Sequence, residues 1–136
     1  MKNIPKKLSG ESLIVYTEKL TDWYLSRTTT NYRKKRGQFF TPGAISQFMV
    51  IQCDEIYRKD VIRILDPGAG IGIFESAFCE HVLSIGKKIN ILFTLYENDE
   101  NLFLLLKENM SICKKAMADN GFNMSYEIIN KNFLLS

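Results

Sequence analysis

The second half of the chain alternates short apolar runs with longer amphipathic stretches, and this alternation limits the fold more than any other feature. The runs at 61–65, 89–97 and 124–130 are short and largely apolar, as strands are. Between them, 73–85 and 98–119 repeat apolar side chains every three or four residues, as amphipathic helices do. Apolar runs of this kind predict strands buried on both faces, which is typical of parallel sheets with right-handed crossovers. The sequence therefore predicts an α/β fold with a doubly wound sheet of about three parallel strands.

Helices are predicted ahead of this sheet. Residues 12–26 have helical apolar spacing, whereas 28–31 are turn-prone and predict a loop. Thr41 and Pro42 predict the start of another helix, with Thr41 as the N-cap and Pro42 at the first helical position. This helix is expected to continue to about residue 57. Its expected inner face comprises Ile45, Phe48, Met49, Gln52 and Ile56.

Composition excludes several classes of protein. The chain has 136 residues, of which 46% are hydrophobic and 24% charged, so one globular domain is expected rather than a disordered chain. Its longest apolar stretches are about half a dozen residues, whereas a membrane span needs ~20. The Lys-bearing N-terminus lacks the apolar core of a signal peptide. We therefore expect a cytoplasmic protein without a membrane span.

Metal centres and histidine-based nucleophiles are not expected either. Cys53, Cys79 and Cys113 are isolated and odd in number, which argues against a disulfide framework and against zinc ligation. His81 is the sole histidine. A zinc site or a nucleophilic triad would therefore have to form without a second histidine.

Positive charge is concentrated in the first half of the chain. The net charge is +3. Residues 1–60 contain 11 Lys and Arg against 6 Asp and Glu, whereas residues 61–136 contain 7 against 9. This distribution suits a polyanion or another acidic surface, although charge alone favours a solvated basic face over a nucleic-acid contact.

A glycine-rich turn joins the first predicted strand to the next helix. Asp66-Pro67-Gly68-Ala69-Gly70-Ile71-Gly72 lets a ligand lie against bare peptide groups, close to the first N–H groups of the helix. Glu97 ends the second strand, where a carboxylate can accept hydrogen bonds from a ribose diol. A plain tight loop and an acid at a helix N-terminus are the structural alternatives. The two features at neighbouring strand ends favour a site for an adenosine-type cofactor.

The spacing of the glycines separates two classes of cofactor. Dinucleotide sites use Gly-x-Gly-x-x-Gly, whereas this chain has Gly-x-Gly-x-Gly preceded by Asp66. Asp66 would repel a pyrophosphate, and it suits a ligand that carries an ammonium or a sulfonium. The turn therefore favours S-adenosyl-L-methionine over a nicotinamide dinucleotide.

These segments resemble the amino-group DNA methyltransferases, in particular the adenine-N6 enzymes of bacterial restriction–modification systems. Gly37-Gln38-Phe39-Phe40-Thr41-Pro42 is similar to the family's N-terminal motif, which lies against the methionine end of S-adenosylmethionine. Residues 66–74 resemble its glycine-rich motif, 96–99 its ribose-binding acid and 130–134 the segment that holds the adenine. Asn132 stands where the family usually has Asp, and its carbonyl oxygen can still accept a hydrogen bond.

The resemblance implies a partial Rossmann-like sheet of the class I methyltransferases. It covers about residues 33–136, which we expect to form a partial S-adenosylmethionine-binding domain after a helical segment at 1–32. Phe39 and Phe40 are expected in the core rather than stacked on a base. The implied DNA contacts, to phosphates, are Arg33, Lys34, Lys35 and Arg36. The implied cofactor contacts are Thr41, Pro42, Asp66, Gly68, Ala69, Gly70, Gly72, Glu97, Asn98, Asn132 and Phe133.

The reaction that the resemblance implies is direct methyl transfer from the sulfonium to an adenine extruded from the duplex. The family's Asn-Pro-Pro-Tyr-type tetrapeptide does not occur in residues 1–136. No catalytic residue is therefore assigned, and the chain alone is expected to be inactive and truncated before that motif. The strand at 61–65 would be left with a bare edge, which a C-terminal region or a second chain is expected to complete.

Three alternatives remain open. The first is a non-catalytic interaction module that retains the methyltransferase fold, which the missing tetrapeptide favours. The second is a methyltransferase for RNA, protein or a small molecule, against which the Gly-Gln-Phe-Phe-Thr-Pro segment argues. A nicotinamide-dependent dehydrogenase is the least favoured, because of the glycine spacing.

Overall fold

The computed structural model describes residues 3–135, in which helices come first and are followed by alternating strands and helices. Short 3₁₀ helices lie at Asp54–Arg58 and Phe133–Leu135. The remaining elements in chain order are α1 Leu13–Arg27, α2 Thr30–Lys35, α3 Gly43–Ile51, β1 Val61–Asp66, α4 Ile73–Ile85, β2 Asn90–Tyr96, α5 Glu100–Asp119 and β3 Met124–Ile129.

The three strands form one parallel sheet in the order β1-β2-β3. Asp66 at the end of β1 pairs in register with Leu95 of β2, and Tyr96 of β2 pairs with Ile129 of β3. The helices α4 and α5 connect consecutive strands. The predicted α/β class is confirmed, and the carboxyl ends of all three strands meet at one edge of the sheet.

The two faces of the sheet differ in burial. Ile62, Phe93 and Leu95 face α4 and α5 and are buried in the main core. On the other face, Leu65 is 55% exposed and Leu92 is 37% exposed. The prediction that the strands are buried on both faces is wrong for the described residues, because the helices in this range cover one face only.

The elements after β1 begin and end where local chemistry predicts. Gly86 ends α4 in the left-handed conformation, with φ at +79°. The Asp99 carboxylate caps α5 by accepting hydrogen bonds from the N–H groups of Asn101 and Leu102. The apolar repeat at 98–119 forms one face of α5, which is buried throughout: Leu102, Leu105, Leu106, Met110, Cys113 and Met117.

The helix after Pro42 differs from its prediction in its start, its end and its inner face. Pro42 is itself the N-cap, and α3 stops at Ile51 rather than near residue 57. Gly43, Ser46 and Val50 turn inwards instead of the predicted apolar stripe, because α3 packs mainly on α4 and approaches α1 closely at Gly43. A Cβ added at Gly43 would lie 2.8 Å from Cγ2 of Ile14. The buried residues of α3 are Gly43, Ser46 and Val50, whereas Ile45, Phe48 and Met49 are exposed.

The predicted loop at 28–31 is half wrong, because α2 begins inside it at Thr30. The Thr29 hydroxyl accepts a hydrogen bond from the N–H of Tyr32 at 3.1 Å and caps this helix. A β-branched residue that also carries a hydroxyl favours an N-cap as much as a loop.

The N-terminal helix belongs to the same packed body as the sheet. Leu13 and Ile14 lie in the main core, and Tyr16 and Leu20 pack with Ile71 of the glycine-rich turn. The boundary between segments 1–32 and 33–136 stays a prediction. Within residues 3–135, no helix combines the length and the apolar character that a bilayer crossing requires. No cluster of His, Cys, Asp and Glu suited to a metal ion occurs in that range either.

Candidate functional site

The glycine-rich turn is tied by hydrogen bonds to the ends of two strands. The Ala69 N–H donates to the carbonyl oxygen of Tyr96 at 3.0 Å, and the Gly70 N–H donates to Oε1 of Glu97 at 3.0 Å. The Gly68 N–H donates to Oδ1 of Asp66 at 3.1 Å. Sequence-distant residues therefore hold the turn in one conformation, with the acids Asp66 and Glu97 on either side of it.

The glycines of this turn serve two different purposes. A Cβ on Gly68 or Gly70 would meet open space among the described atoms, and Gly70 also has a φ of +60°. A Cβ on Gly72 would instead lie 2.8 Å from Cε of Met110. Gly68 and Gly70 therefore leave room for a ligand, whereas Gly72 allows α4 to pack against α5.

Two cavities flank the turn and share part of its backbone. The first has a volume of about 400 Å³ and contains Asp66, Thr41 and Ala69 among its walls. The second has a volume of about 330 Å³ and contains Glu97 and Asn98. The residues that line both cavities are Phe39, Phe40, Gly68 and Gly70.

The Glu97 carboxylate is fixed by backbone donors from two directions. Oε1 accepts from Gly70, and Oε2 accepts from the N–H of Asp99 at 2.9 Å. Burial raises the pKa of this carboxyl, and the hydrogen bonds from Asp99 and Gly70 oppose the rise. Each carboxylate oxygen has a second lone pair, so Glu97 presents two aligned acceptors in the second cavity.

A polar network joins the predicted N-terminal motif to the start of α5. Nη1 of Arg36 and Nε2 of Gln38 both donate to Oδ2 of Asp99, each at 3.1 Å. The Tyr24 hydroxyl donates to Oε1 of Gln38 at 2.6 Å. The sequence places Gln38 and Asp99 in two separate motifs but does not predict their contact, because 61 positions separate the two residues.

The four basic residues at 33–36 do not present equivalent side chains. Nη1 of Arg33 donates to the carbonyl oxygen of Thr28 at 2.7 Å, and Arg36 pairs with Asp99. Lys34 and Lys35 are exposed. The two arginines therefore contribute to the fold, and the two lysines are the members of this run best placed to meet a phosphate.

Phe39 and Phe40 have different environments. The Phe39 side chain is 91% exposed, so the prediction that it lies in the core is wrong. Phe40 packs against the second core cluster, with its ring 5.7 Å from that of Tyr24 in an edge-on arrangement. Apolar character alone cannot distinguish the two residues, because they are adjacent and have the same side chain.

Four of the predicted cofactor residues lie outside the cavity linings in the described structure: Pro42, Gly72, Asn132 and Phe133. Asn132 accepts a hydrogen bond from the N–H of Leu134 through its own side chain at 3.0 Å. The Phe133 ring packs edge-on against Tyr96, with 5.0 Å between the ring centroids. The structure therefore brings together Thr41, Asp66, Gly68, Ala69, Gly70, Glu97 and Asn98.

Comparisons with known proteins bear on this site. Residues 18–132 match the family described as N-6 DNA Methylase. Among curated relatives, the type II methyltransferase M.PstI of Providencia stuartii is 28% identical over 123 residues, which are 90% of this chain and 24% of that protein. M.BsuBI of Bacillus subtilis is 39% identical over 102 residues, 71% of this chain and 20% of the relative.

A third relative, the type II methyltransferase M.AccI of Acinetobacter calcoaceticus, is 31% identical over 110 residues. That match covers 76% of this chain and 19% of the relative. The chain therefore spans between 19% and 24% of the length of these relatives.

Proposed function

Because the chain belongs to the N-6 DNA methylase family, we propose that it binds S-adenosyl-L-methionine as part of a DNA adenine-N6 methyltransferase of restriction–modification type. The observation that carries this proposal is the pair of cavities joined at the bare backbone of Gly68 and Gly70, with Asp66 in the first and Glu97 in the second. Two adjoining sites of different polarity suit a ligand with a nucleoside end and an amino-acid end.

The second cavity suits the nucleoside end. The two oxygens of Glu97 are held in place by backbone donors, and each can accept a hydroxyl of a ribose diol. Asn98 lies in the same cavity wall and is exposed, which places an amide where it can meet the adenine ring.

The first cavity suits the methionine end. Asp66 supplies a negative charge at the carboxyl end of β1, and Thr41 supplies a hydroxyl to the same cavity. A cationic ammonium or sulfonium is attracted by Asp66, whereas a pyrophosphate is repelled. This asymmetry supports S-adenosylmethionine over a nicotinamide dinucleotide; when bound, the cofactor supplies an electrophilic methyl group.

The contributions of Asn132, Phe133 and Pro42 are proposed on the resemblance and on their positions. Asn132 and Phe133 follow β3 at the same sheet edge as the turn, and Phe133 packs on Tyr96 directly before Glu97. Pro42 begins α3 beside Thr41. We leave Gly72 out of the proposed cofactor contacts, since its environment is side chains of α5.

DNA is the proposed substrate, with Lys34 and Lys35 contacting phosphates. The methylated adenine would have to leave the duplex to reach the cofactor. Its exocyclic amine then needs two hydrogen-bond acceptors to free the nitrogen lone pair for attack, which the Asn-Pro-Pro-Tyr-type tetrapeptide supplies in this family. Residues 1–136 lack that tetrapeptide, so we propose that they bind the cofactor without transferring its methyl group. Action on DNA would place the protein in the cytoplasm.

The sheet supports completion by further polypeptide. Within the described residues, β1 pairs with β2 alone, and its Val61 and Leu65 side chains are exposed. An apolar strand with a free edge favours pairing with another strand. We propose that another region of the same protein, or a second chain, covers this edge; the same surface favours the alternative of a non-catalytic interaction module.

Calorimetric titration of the chain with S-adenosylmethionine, S-adenosylhomocysteine and NAD tests this proposal. The expected result is saturable binding of the first two ligands and none of NAD. Tight binding of NAD without a response to the other two would overturn it. An assay of methyl transfer to duplex DNA should show none with residues 1–136 and measurable transfer with a longer chain that includes the tetrapeptide; transfer by residues 1–136 would refute the assignment of a binding role alone.

A further inference from the structure

Glu75 is an acid buried in an otherwise apolar part of α4. It lies in the first turn of the helix, its side chain has 0% exposure, and neither carboxylate oxygen has a hydrogen-bond partner from a conventional N–H or O–H donor within residues 3–135. An ionised carboxylate in such a position is strongly disfavoured, because it has lost its water and gained no donor or cation.

The groups that face Glu75 come from three elements. Asp66 at the end of β1 approaches within hydrogen-bonding reach, and the Cys113 thiol faces it from α5. Cys79 lies one turn later on α4, and its buried thiol interacts electrostatically with Glu75. The buried polar residues of α1 and α3 are Thr17 and Ser46, whose hydroxyls do not titrate. None of these groups is a cation.

Two carboxyl groups can form a hydrogen bond only when one of them carries a proton. Asp66 lines the first cavity and accepts a hydrogen bond from the Gly68 N–H, whereas Glu75 lies outside the cavity and is sealed from solvent. The proton therefore belongs on Glu75. Burial and the neighbouring charge of Asp66 raise the pKa of Glu75 well above its ordinary value of 4.5, in agreement with this arrangement.

We propose that Glu75 is a positioning residue that stays protonated at neutral pH, donates a hydrogen bond to Asp66 and so holds the Asp66 carboxylate toward the methionine end of the cofactor. The role in cofactor binding rests on the proposed function. Asp66 is then held by two donors, the Gly68 N–H and the Glu75 carboxyl, and keeps its negative charge for the ligand.

The arrangement makes stability fall as the pH rises above 4.5, and makes cofactor affinity fall at the higher pH where Glu75 of the folded protein ionises. A group whose pKa is raised in the folded state stabilises fully below its ordinary pKa of 4.5, and that contribution is lost as the pH rises toward the raised value. Loss of the proton also places two negative charges side by side, which pushes Asp66 out of its position. Wild-type affinity for S-adenosylhomocysteine is therefore expected to fall as Glu75 ionises.

Two substitutions separate the hydrogen bond from the packing. Glu75→Gln keeps a donor toward Asp66 and does not titrate, whereas Glu75→Leu keeps a similar volume without a donor. We expect the Gln variant to bind S-adenosylhomocysteine within about twofold of wild type, with a flatter pH profile, and the Leu variant to bind about tenfold more weakly, the typical effect of one hydrogen bond to a charged group. Glu108→Gln, the same substitution at an exposed acid of α5, is the matched control and should leave binding and its pH profile unchanged.

Infrared spectroscopy provides a readout that does not need a ligand. At neutral pH the wild type should show the carbonyl stretch of a protonated carboxylic acid, which Glu75→Gln removes and Glu108→Gln retains. Absence of this band from the folded wild type would overturn the proposal, as would unchanged affinity in folded Glu75→Leu. If the wild type binds no cofactor, the proposed function fails, while the band and the pH dependence of unfolding still decide whether Glu75 and Asp66 share a proton.

Discussion

The two cavities beside the glycine-rich turn use the same kind of group in different ways. In one, Glu97 is fixed at both oxygens by backbone N–H groups. In the other, Asp66 accepts a hydrogen bond from one backbone N–H and lies within hydrogen-bonding reach of the buried Glu75 carboxyl. We propose that this difference suits one acid to align two hydrogen bonds to a ligand, and the other to present a charge. Recognition of a diol needs fixed geometry, whereas recognition of a cation needs mainly sign and proximity.

Removal of Glu97 should have the largest effect on binding. Glu97→Ala deletes two acceptors for the ligand and the anchors of Gly70 and Asp99, so affinity for S-adenosylhomocysteine should fall about 100-fold, at roughly 1.5 kcal/mol or more for each hydrogen bond to a charged group. Calorimetry provides the measurement. Glu127→Ala, an exposed acid on β3, is the matched control. Equal losses in the two variants would remove Glu97 from the site.

Gly72 and Gly68 provide a contrast between packing and binding. Gly72→Ala combines a φ of +95° with a contact of 2.8 Å to Met110, and should lower the free energy of unfolding by about 2 kcal/mol. Gly68→Ala places its Cβ in open space and should change stability by less than about 0.5 kcal/mol while weakening cofactor binding. Urea denaturation and calorimetry measure both quantities. The reverse pattern would mean that the two glycines have been assigned the wrong roles.

Asp66→Asn should distinguish the ligand-binding roles of the two cavities. Loss of the charge is expected to weaken S-adenosylhomocysteine binding about tenfold, and to leave adenosine, which lacks the amino-acid end, unaffected. Glu97→Ala should weaken both ligands. If Asp66→Asn weakened the binding of adenosine as strongly as that of S-adenosylhomocysteine, the proposal that one cavity binds a cation and the other binds a diol would be incorrect.

Acidification should weaken binding of the nucleoside end. Because burial raises the pKa of Glu97 above its ordinary 4.5, this acid gains its proton at a higher pH than a free glutamate does. Adenosine affinity should therefore begin to fall, by a few-fold, before the pH reaches 4.5, as Glu97 loses one of its acceptors. Titrations at several pH values measure this, with Glu97→Gln as the control that has no carboxyl to protonate. An equal fall in that variant would assign the effect to another group.

Phe39 should have the smallest effect on stability. Its side chain is 91% exposed, so Phe39→Ala should change the free energy of unfolding by less than about 0.5 kcal/mol. Phe40→Ala removes the edge contact with Tyr24 and should cost about 1–2 kcal/mol. Thermal and urea unfolding compare the two variants. A large loss at Phe39 would show that its side chain is covered in solution.

Sequence patterns predict the structure well where it depends on residues that are close along the chain. Local chemistry accounts for the order of strands and helices after residue 60. It also accounts for the end of α4 at Gly86 and the cap of α5 at Asp99. The inner face of α3 does not follow from local chemistry, because it depends on how closely Gly43 approaches Ile14 of α1. Propensity and periodicity contain no information about such long-range contacts.

The same limit applies to the candidate site. The glycines and the two acids were identified because a strand end followed by a bare turn has a recognisable pattern. The link from Gln38 to Asp99 joins residues 61 positions apart, and Glu75 would have been visible only as a lone acid at an apolar helical position. Phe39 and Phe40 have the same side chain, and tertiary packing alone decides which of them is buried.

The central claim is that a ligand lies against the backbone of Gly68 and Gly70, between Glu97 and Asp66. An amide NMR titration with S-adenosylhomocysteine tests it most directly, because Gly86 and Gly121, which end α4 and α5, serve as internal references. We expect saturable chemical-shift changes of the Gly68, Gly70 and Asn98 amide signals, while the signals of the two reference glycines do not move. Saturable binding that leaves the Gly68 and Gly70 signals unmoved would contradict it.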